Sequence, residues 1–296
     1  MTRERYKYLV LLFLMILQMD SKAQSEPSNE LKILSWNIQM LPNSLSVFSK
    51  ALRKKQAIRK PWIIDYLIEL APDVICLQEV FDRNITCQLK KELKTMFPYQ
   101  IDPKKEKGRL TSSGLLILSK RPIREVGYVT YSDAMNEDKW AAKGCVMVTL
   151  DSIPVFIANT HLQAGGGAKG AEIRVRQYED IRNLIDAHVP KEASYVLVGD
   201  MNTRKKNETY YPRMLSILDL EDAGIDDPRP FTIDSTNTWN NHAQGIQLDY
   251  VLHRLNSMVL EKERVNIIRP KKKHKGTWID LADHYGLLVT YMLKKE

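Results

Sequence analysis

Carboxylate, amide and imidazole side chains stand where several apolar runs of this sequence end or begin. The segment "LVGDMN" closes an apolar run on Asp200 and Asn202. Each such residue alone has an ordinary explanation as a loop or strand-end residue. The same residue types recur in five more segments, at Asn37 in "ILSWNIQ", Glu79 in "VICLQEV", Asn159 and His161 in "VFIANTHLQ", Asp249 in "LDYVLHR", and Asp283 and His284 in "LADHYGLLVTY". Because six segments all place carboxylate, amide or imidazole side chains at such positions, we expect these side chains to form one site.

These residue types together favour hydrolysis assisted by a metal ion. Carboxylate and amide oxygens suit a hard divalent cation such as Mg²⁺, which keeps several waters and takes few protein ligands. An imidazole held by a carboxylate can act as a general base for water. No Ser-His or Cys-His signature accompanies these residues, so attack by activated water is favoured over a covalent enzyme intermediate. The residues therefore predict metal-assisted hydrolysis of a phosphate ester.

Short apolar runs that alternate with amphipathic stretches must position these groups. Helical spacing, with apolar residues three and four apart, occurs over 63–68 and 173–185. Several strands follow one another through short turns such as "DSIP", so a strict alternation of strand and helix is absent. The pattern favours a sheet-rich α/β sandwich. The predicted strands are 31–36, 74–77, 115–118, 146–150, 155–158, 195–198, 248–252 and 287–291.

The N-terminal segment has the pattern of a secretory signal peptide. Three basic residues precede an apolar stretch over 8–17, and Ser21 and Ala23 then supply the small residues of a cleavage site. The apolar stretch is too short to span a bilayer comfortably, and no later segment is long and apolar enough to do so. We therefore expect residues 1–23 to be a signal peptide, residues 24–296 to form one catalytic domain, and the protein to be secreted or periplasmic.

Charge and cysteine content narrow the class of protein only slightly. The formal net charge is +8, and removal of residues 1–23, with four basic and two acidic side chains, would leave +6. A basic protein suits a polyanionic partner or an anionic membrane surface, but charge describes association rather than chemistry. Cys76, Cys87 and Cys145 allow at most one intramolecular disulfide, and Cys76 lies in a predicted buried strand, where a thiol behaves as a small hydrophobe.

Seven motifs occur in the order typical of the endonuclease/exonuclease/phosphatase superfamily, which resembles deoxyribonuclease I in fold. They are "WNIQ", "LQEV", "GLLILSK", "NTHLQA", "GDMN", "LDYV" and "DHYGL", and the resemblance covers roughly residues 30–293. Within the superfamily, "NTHLQA", "DKWAAKG", "RVRQYEDI" and "TWNNHAQGIQLDYV" most resemble the secreted bacterial neutral sphingomyelinases. The resemblance implies an α/β fold, a four-layer α/β/β/α sandwich with the site at one edge of two packed sheets.

The resemblance also implies roles on the metal side of the site. Glu79 would be the principal Mg²⁺ ligand, with Asn37 beside it, and Asp283 would support the metal. His284 would be the general base that deprotonates the attacking water, and Asp249 would orient it. Mn²⁺ or Co²⁺ would be possible substitutes for Mg²⁺.

The remaining implied roles lie on the phosphate side. His161, Asp200 and Asn202 would contact the phosphate and stabilise the transition state or the leaving group. Asn159 and Lys143 are expected to contribute to substrate binding, Lys143 as part of a "KG" pair with no specific role assigned.

Three segments depart from the family pattern or lie outside it. Ala282 stands before Asp283 where the superfamily usually has Ser, so a supporting hydrogen bond would be missing or replaced. The loop "AGGGAKG" has no cysteine, which removes a disulfide found in the secreted relatives. The basic run over 269–278 is either a solvated loop or a rim that meets anionic headgroups, with Trp278 at the interface.

The expected function is therefore a Mg²⁺-dependent sphingomyelin phosphodiesterase that releases ceramide and phosphocholine. Its partner would be a membrane phospholipid met by peripheral contact, nucleic acid would not be a substrate, and the protein would be a monomer. A secreted nuclease, supported by the basic charge, and a phosphodiesterase or phosphomonoesterase for other substrates stay open as alternatives. A catalytically inactive binding protein is disfavoured, because every motif position that the chemistry needs is filled.

Overall fold

The computed structural model describes residues 29–42, 50–151, 153–240, 244–256 and 258–294. The predicted signal peptide, residues 1–23, lies outside the described residues. Within the described ranges, none of the helices combines the length and the apolar character needed to cross a bilayer.

The chain forms four helices, fourteen strands and a short 3-10 helix in the part that the structure describes. The helices are α1 (Lys50–Leu70), α2 (Arg83–Leu93), α3 (Gly167–His188) and α4 (Tyr210–Leu218), and the 3-10 helix is Asn136–Trp140. The strands are β1 (Glu30–Met40), β2 (Val74–Val80), β3 (Tyr99–Ile101), β4 (Leu116–Ser119), β5 (Ile123–Thr130), β6 (Gly144–Leu150), β7 (Val155–His161), β8 (Ser194–Asp200), β9 (Glu221–Asp222), β10 (Asp249–Arg254), β11 (Leu260–Ile268), β12 (Lys271–His274), β13 (Thr277–Asp280) and β14 (Gly286–Leu293).

Twelve of the strands form two six-stranded sheets. The first sheet has the order β11-β14-β1-β2-β4-β3, and the second has the order β5-β6-β7-β8-β10-β9. The strands β12 and β13 pair with each other as a separate hairpin.

Three apolar clusters show that the sheets and helices are stacked in four layers. Leu31 and Ile33 of β1 pack in the cluster between the two sheets, whereas Leu34 and Trp36 face the cluster beneath α1 and α2. The third cluster joins the outer face of the second sheet to α3 and α4. Both faces of the central strands are therefore buried, which explains why these strands read as continuous apolar runs. The predicted four-layer sandwich is confirmed.

All eight predicted strands and both predicted helices are present, and the strands that the sequence did not predict are short or polar. Every residue of β5 is at least partly exposed, and β11 carries four charged residues among nine. Such strands lack the long apolar run from which a buried strand is recognised. The three cysteines are all free, and Cys76 is buried in β2 as predicted.

The strand ends that carry the predicted site residues lie at one edge of the sandwich. The strands β1 and β2 run parallel, and so do β7 and β8, so the carboxyl ends of all four can meet at the same edge. The strands β10 and β14 run antiparallel to β8 and β1, which brings their amino ends to the same edge. Strand direction alone therefore gathers six separate segments of the sequence.

Gly199 makes a close backbone approach possible at this edge. It has φ +146°, and a Cβ atom placed on it would lie 2.0 Å from the carbonyl oxygen of Thr160 on β7. Thr160 and Gly199 are register partners, and the next pair along the two strands is His161 and Asp200. Only a residue without a side chain fits here, because the neighbouring atom is backbone and cannot move aside cheaply.

We expect Gly199→Ala to lower the free energy of unfolding by more than about 3 kcal/mol, because overpacking and backbone strain act together. Gly224 also has a positive φ, +71°, but no atom lies within 4 Å of its Cβ position. Gly224→Ala is therefore the matched control and should cost about 1 kcal/mol. Urea unfolding measures both, and equal losses would show that the contact with Thr160 is not the limiting constraint.

Candidate active site

Nine of the ten residues predicted for the site lie together at the edge where the strands meet. Asp200 is the register partner of both His161 and Asp249, and Asn37 is the partner of Gln78, the residue before Glu79. The others reach the same place through side-chain bonds and are described in turn below. The tenth residue, Asn159, lies deeper in the fold.

His284 and Asp249 form a hydrogen-bonded pair. The His284 Nδ1 atom lies 2.8 Å from Asp249 Oδ2, and both residues are buried. Burial by itself lowers the pKa of His284, but the carboxylates of Asp249 and Asp200 more than offset that effect and hold the pKa well above its usual value. The Asp249 carboxylate therefore fixes the ring and stabilises its protonated form, which is what the orienting partner of a general base does.

Asp200 lies between the two histidines and touches both sheets. Its Oδ2 accepts a hydrogen bond from the Asn37 amide at 3.1 Å and lies 3.5 Å from His161 Nε2 and 3.9 Å from His284 Nδ1. Its Oδ1 accepts from the backbone N–H of Asn202 at 2.9 Å. Burial and the nearby Asp249 carboxylate raise the pKa of Asp200 to about 6.

Glu79 and Asp283 form the acidic side of the site, which we call the acidic pair. The Asn37 amide donates to Glu79 Oε1 at 2.9 Å, and the Gln39 amide donates to Asp283 Oδ2 at 2.6 Å. Burial, followed by the negative charge of Asp283, raises the pKa of Glu79 to about 7. A buried carboxylate whose ionisation is opposed by a neighbouring negative charge attracts a cation.

Lys143, His161 and Asp138 form a chain of contacts on the opposite side. The buried Lys143 ammonium lies 2.8 Å from Asp138 Oδ1, 3.0 Å from His161 Nε2 and 3.1 Å from the Leu162 carbonyl oxygen. An ammonium can only donate, so Nε2 accepts and the ring proton lies on Nδ1. Burial, with the charges of Lys143 and His284, lowers the pKa of His161 well below its usual value. The cationic donor of this group is therefore Lys143, and His161 is neutral.

The structure does not support the predicted contact of Asn159 with substrate. The Asn159 side chain is fully buried, donates to the Leu77 carbonyl oxygen at 3.0 Å and accepts from the Gln78 amide at 2.8 Å. Asn159 belongs to the second sheet, whereas Leu77 and Gln78 belong to the first. Its polar atoms are thus used to join the two sheets beneath the site.

Asn202 lies at the tip of β8, where it was predicted. Its amide group donates to the Leu162 carbonyl oxygen at 3.2 Å, the same oxygen that Lys143 contacts. Asn202 has φ +48°, Gln39 has φ +49° and Glu79 has φ +58°, which are left-handed values that non-glycine residues seldom adopt. Strained backbone of this kind persists where surrounding contacts hold it, and it is frequent at functional sites.

The loop that carries Asp283 and His284 is anchored through its backbone. The indole of Trp36 donates to the His284 carbonyl oxygen at 3.0 Å, and the Asn240 amide donates to that of Asp283 at 2.6 Å. The Asn237 amide donates to the carbonyl oxygen of Ala282 at 3.0 Å, while the methyl group of Ala282 packs in the apolar cluster. Backbone anchors of this kind hold the loop where Ala282 replaces the usual serine.

The donor set fits a hard divalent cation. Carboxylate oxygens of Glu79 and Asp200 lie within 4.8 Å of each other, and so do carboxylate oxygens of Asp200 and Asp249. Asp283 Oδ1 and Asp249 Oδ1 are buried and accept no hydrogen bond from the residues that the structure describes. Buried carboxylate oxygens that lack a donor are costly unless a positive group meets them.

Two residues of the site carried no role in the sequence-based prediction, although both stood in quoted motifs. Gln39 ends "WNIQ" and orients Asp283, and Asp138 begins "DKWAAKG" and holds Lys143. Asp138 also accepts a hydrogen bond from the backbone N–H of Ala164 at 2.7 Å, so it ties the loop after β7 to the site. The sequence signal was their place in a motif, since neither residue type is distinctive alone.

A model of the Endonuclease/Exonuclease/phosphatase family matches residues 34–279. The chain belongs to this family. The match ends before Asp283 and His284, so the position of those two residues rests on the geometry described above.

Similar proteins are sphingomyelinases. A sphingomyelinase C 2 of Leptospira interrogans is 31% identical over 251 residues, 75% of this chain and 39% of that protein. A sphingomyelinase C of Bacillus cereus is 25% identical over 315 residues, 91% of each chain. The chain thus spans about two fifths of the length of the Leptospira relative and nearly all of the Bacillus one.

Solved structures show the same fold. A crystal structure of beta toxin from Staphylococcus aureus has a TM-score of 0.74 and 20% identity, and it covers 90% of this chain and 100% of that chain. A second beta toxin structure, described with bound magnesium ions, has a TM-score of 0.70 and 20% identity, with 90% and 100% covered. Both confirm the sandwich that family members share.

The raised pKa of Glu79 predicts how stability of this family member depends on pH without metal. The folded state holds a proton on Glu79 up to a pKa of about 7, whereas the ordinary value is 4.5. Between these values the folded state binds more protons than the unfolded state, so stability should fall as pH rises through this window. Asp200, raised to about 6, acts in the same direction.

Urea unfolding in EDTA across this window measures the effect. Glu79→Gln should weaken the decline and be more stable than the wild type at pH 7.5, and exposed Glu208 provides the control Glu208→Gln. Added Mg²⁺ should stabilise the wild type more than Glu79→Gln. A pH dependence that is the same in the wild type and in Glu79→Gln would contradict the crowding of these carboxylates.

Proposed function

We propose that this protein is a secreted, Mg²⁺-dependent sphingomyelin phosphodiesterase that hydrolyses sphingomyelin to ceramide and phosphocholine. The observation that carries the reaction class is the His284–Asp249 pair beside a cluster of carboxylates with unpartnered oxygens. The substrate is supported by the resemblance to sphingomyelinases, above all the Bacillus cereus protein that matches along nearly its whole length.

The Glu79 and Asp283 carboxylates, with the Asn37 amide beside them, would hold the cation. A divalent cation there supplies positive charge against the phosphate oxygens and offsets the acidic cluster, which brings the pKa of His284 towards neutrality. Mg²⁺ suits a site made of oxygen ligands, and Mn²⁺ or Co²⁺ would substitute for it. The magnesium of the beta toxin structure supports this choice.

The protein groups divide the reaction between two sides. His284 takes the proton from the attacking water, and Asp249 keeps its Nδ1–H directed and stabilises the imidazolium that forms. The Lys143 ammonium stabilises the developing charge on the phosphate through its positive charge, because its three hydrogen-bond donors are held by Asp138, His161 and the Leu162 carbonyl oxygen. Asp200 and Asn202 fix the relative position of the two sides through the bonds they make to Asn37 and Leu162.

The basic run over 269–278 contributes a surface for membrane contact. It forms the hairpin β12–β13 rather than a loop, and Lys273 pairs with Trp278 across it. The Trp278 side chain is 58% exposed, and Lys272 and Lys273 are exposed beside it. An amphipathic ring among lysines suits the headgroup region of an anionic bilayer, so we assign the hairpin to peripheral membrane contact by a monomer.

A secreted nuclease is the second candidate, favoured by the net charge of +6 that the chain would carry without residues 1–23. Basic charge gives DNA affinity that weakens with salt, whereas cleavage also needs the duplex to reach the metal. Turnover of sphingomyelin and turnover of DNA distinguish the two candidate functions.

We expect vesicles that contain sphingomyelin to release phosphocholine in the presence of Mg²⁺, and EDTA to abolish the release. Plasmid DNA under the same conditions should stay largely intact. His284→Ala supplies the control for contaminating activity. Rapid nicking of DNA without phosphocholine release would replace the lipid assignment with the nuclease and leave the site residues as argued.

A second test concerns the proposed pairing of His284, the general base, with Asp249, which orients it. His284→Ala and Asp249→Asn should each lower kcat by at least about a hundredfold, and the double variant should be little worse than His284→Ala, because the two groups act as a unit. Asp222→Asn is a matched control, since Asp222 pairs with Lys205 away from the two histidines. If the losses of the two single variants multiply, Asp249 does not act through His284.

A further inference from the structure

Two large apolar side chains are exposed side by side near Lys143. Leu110 is 76% exposed and Trp140 is 46% exposed. The backbone N–H of Leu110 donates to the Trp140 carbonyl oxygen at 2.8 Å, and the next pair, Thr111 and Ala141, forms a parallel bridge. The two residues therefore lie next to each other on adjacent segments, and we call them the docking pair.

The docking pair lies at the same edge as the active site. Trp140 is three residues before Lys143, so their Cα atoms are at most about 11 Å apart. Asp138, two residues before Trp140, contacts Lys143 directly. The β12–β13 hairpin precedes Asp283 in the sequence and connects β11 to β14, which both belong to the first sheet. Trp140 precedes Lys143, which lies just before β6 of the second sheet. The site thus has an exposed tryptophan near it on the side of each sheet.

Lysine side chains lie on both segments that carry the docking pair. Lys105, Lys107 and Lys139 are exposed, and no ion pair joins them to a carboxylate within the described ranges. The acids Glu106 and Glu137 are also exposed there, so the lysines are in excess. Exposed apolar side chains flanked along the chain by lysines are the pattern of a surface that enters the headgroup region while its charges meet anionic lipid.

The segment that carries Leu110 is already fixed in place. The backbone N–H of Ser113 donates to the Lys104 carbonyl oxygen at 2.7 Å, and the Arg109 side chain donates to the carbonyl oxygens of Lys139 and Tyr131. A surface that is ordered before binding loses little conformational entropy on binding. Exposed apolar groups on such a rigid segment favour contact with a partner over a purely structural role.

We propose that Leu110 and Trp140 form a second membrane-contact surface, which inserts at the headgroup level of a bilayer that carries anionic lipid. Together with the β12–β13 hairpin it would hold the site over the bilayer at two points, one for each sheet. This inference rests on the proposed function, because a substrate within a bilayer is what makes contact on both sides of the site useful.

Vesicle binding tests the proposal separately from turnover. His284→Ala serves as the background, so that the vesicles are not altered, and binding is measured by sedimentation with vesicles of phosphatidylcholine, phosphatidylserine and sphingomyelin. Leu110→Ser with Trp140→Ala should lower the partition coefficient about tenfold, since apolar area is removed from the contact. Met258 is 79% exposed and lies just before β11, at the opposite end of the strands, so Met258→Ser is the matched control and should bind normally.

Turnover measurements on the otherwise wild-type protein complete the design. On a soluble short-chain sphingomyelin below its micellar concentration, the same substitutions should leave kcat/KM within about twofold, because neither side chain touches the reacting groups. The single variants and thermal melts show whether the fold is intact. Removing phosphatidylserine or adding salt should weaken wild-type vesicle binding.

Three results would overturn the proposal. The first is vesicle binding that the substitutions do not change, or that the unsubstituted protein lacks. The second is an equal loss of turnover on soluble substrate, which would place Trp140 in support of Lys143. The third is a dimer in sedimentation velocity that the substitutions dissociate, which would make the pair a subunit contact. Binding that falls as expected while no sphingomyelin is hydrolysed would retain the docking surface and reject the substrate.

Discussion

The hydrogen bond from the Asn37 amide to Asp200 connects the two sheets at the place where their strand ends meet. Asn37 comes from the first sheet and Asp200 from the second, so this contact sets how the halves of the site face each other. The same Asn37 amide group also donates to Glu79, and the other oxygen of Asp200 is held by the backbone of Asn202. One amide and one carboxylate therefore fix the distance between the acidic pair and the histidines. A second bridge, from Asn159 to Leu77 and Gln78, lies directly beneath and keeps the sheets in register.

This arrangement brings several negative charges close together, and their repulsion lowers the stability of the folded protein. Glu79, Asp200, Asp249 and Asp283 converge on a small volume, and burial with mutual repulsion raises the pKa of Glu79 to about 7 and that of Asp200 to about 6. The protein supplies few positive charges against them, since Lys143 is shared with Asp138 and the guanidinium of Arg59 is buried against the carbonyl oxygens of Ile38, Gln39 and Leu281. A site with an excess of negative charge is suited to a divalent cation and to a phosphate that arrives with it.

Much of this fold and site could be predicted from the sequence, because the informative residues are distinctive. Buried parallel strands appear as apolar runs, and carboxylates or imidazoles at their ends stand out against that background. The residues that were missed act through geometry that a sequence does not display. Gln39 matters because its left-handed backbone turns its amide towards Asp283, and Asp138 matters because a 3-10 turn places it against Lys143. Asn159 was predicted to bind substrate, and it lies on the same face of β7 as His161, but it is two residues deeper in the strand, where its side chain bonds to Leu77 and Gln78 of the other sheet.

The two histidines show why residue type alone does not fix a role. Both are buried, and burial disfavours the charged form of each. His284 has Asp249 at 2.8 Å and Asp200 at 3.9 Å, and these charges reverse the effect of burial. His161 also has Asp200 at 3.5 Å, but the Lys143 ammonium at 3.0 Å occupies its Nε2 and adds to the effect of burial. The fold thus makes one imidazole strongly basic and keeps the other neutral beside a fixed ammonium. In the proposed reaction, the first imidazole takes the proton from water, and the lysine that the second helps to hold stabilises charge on the phosphate.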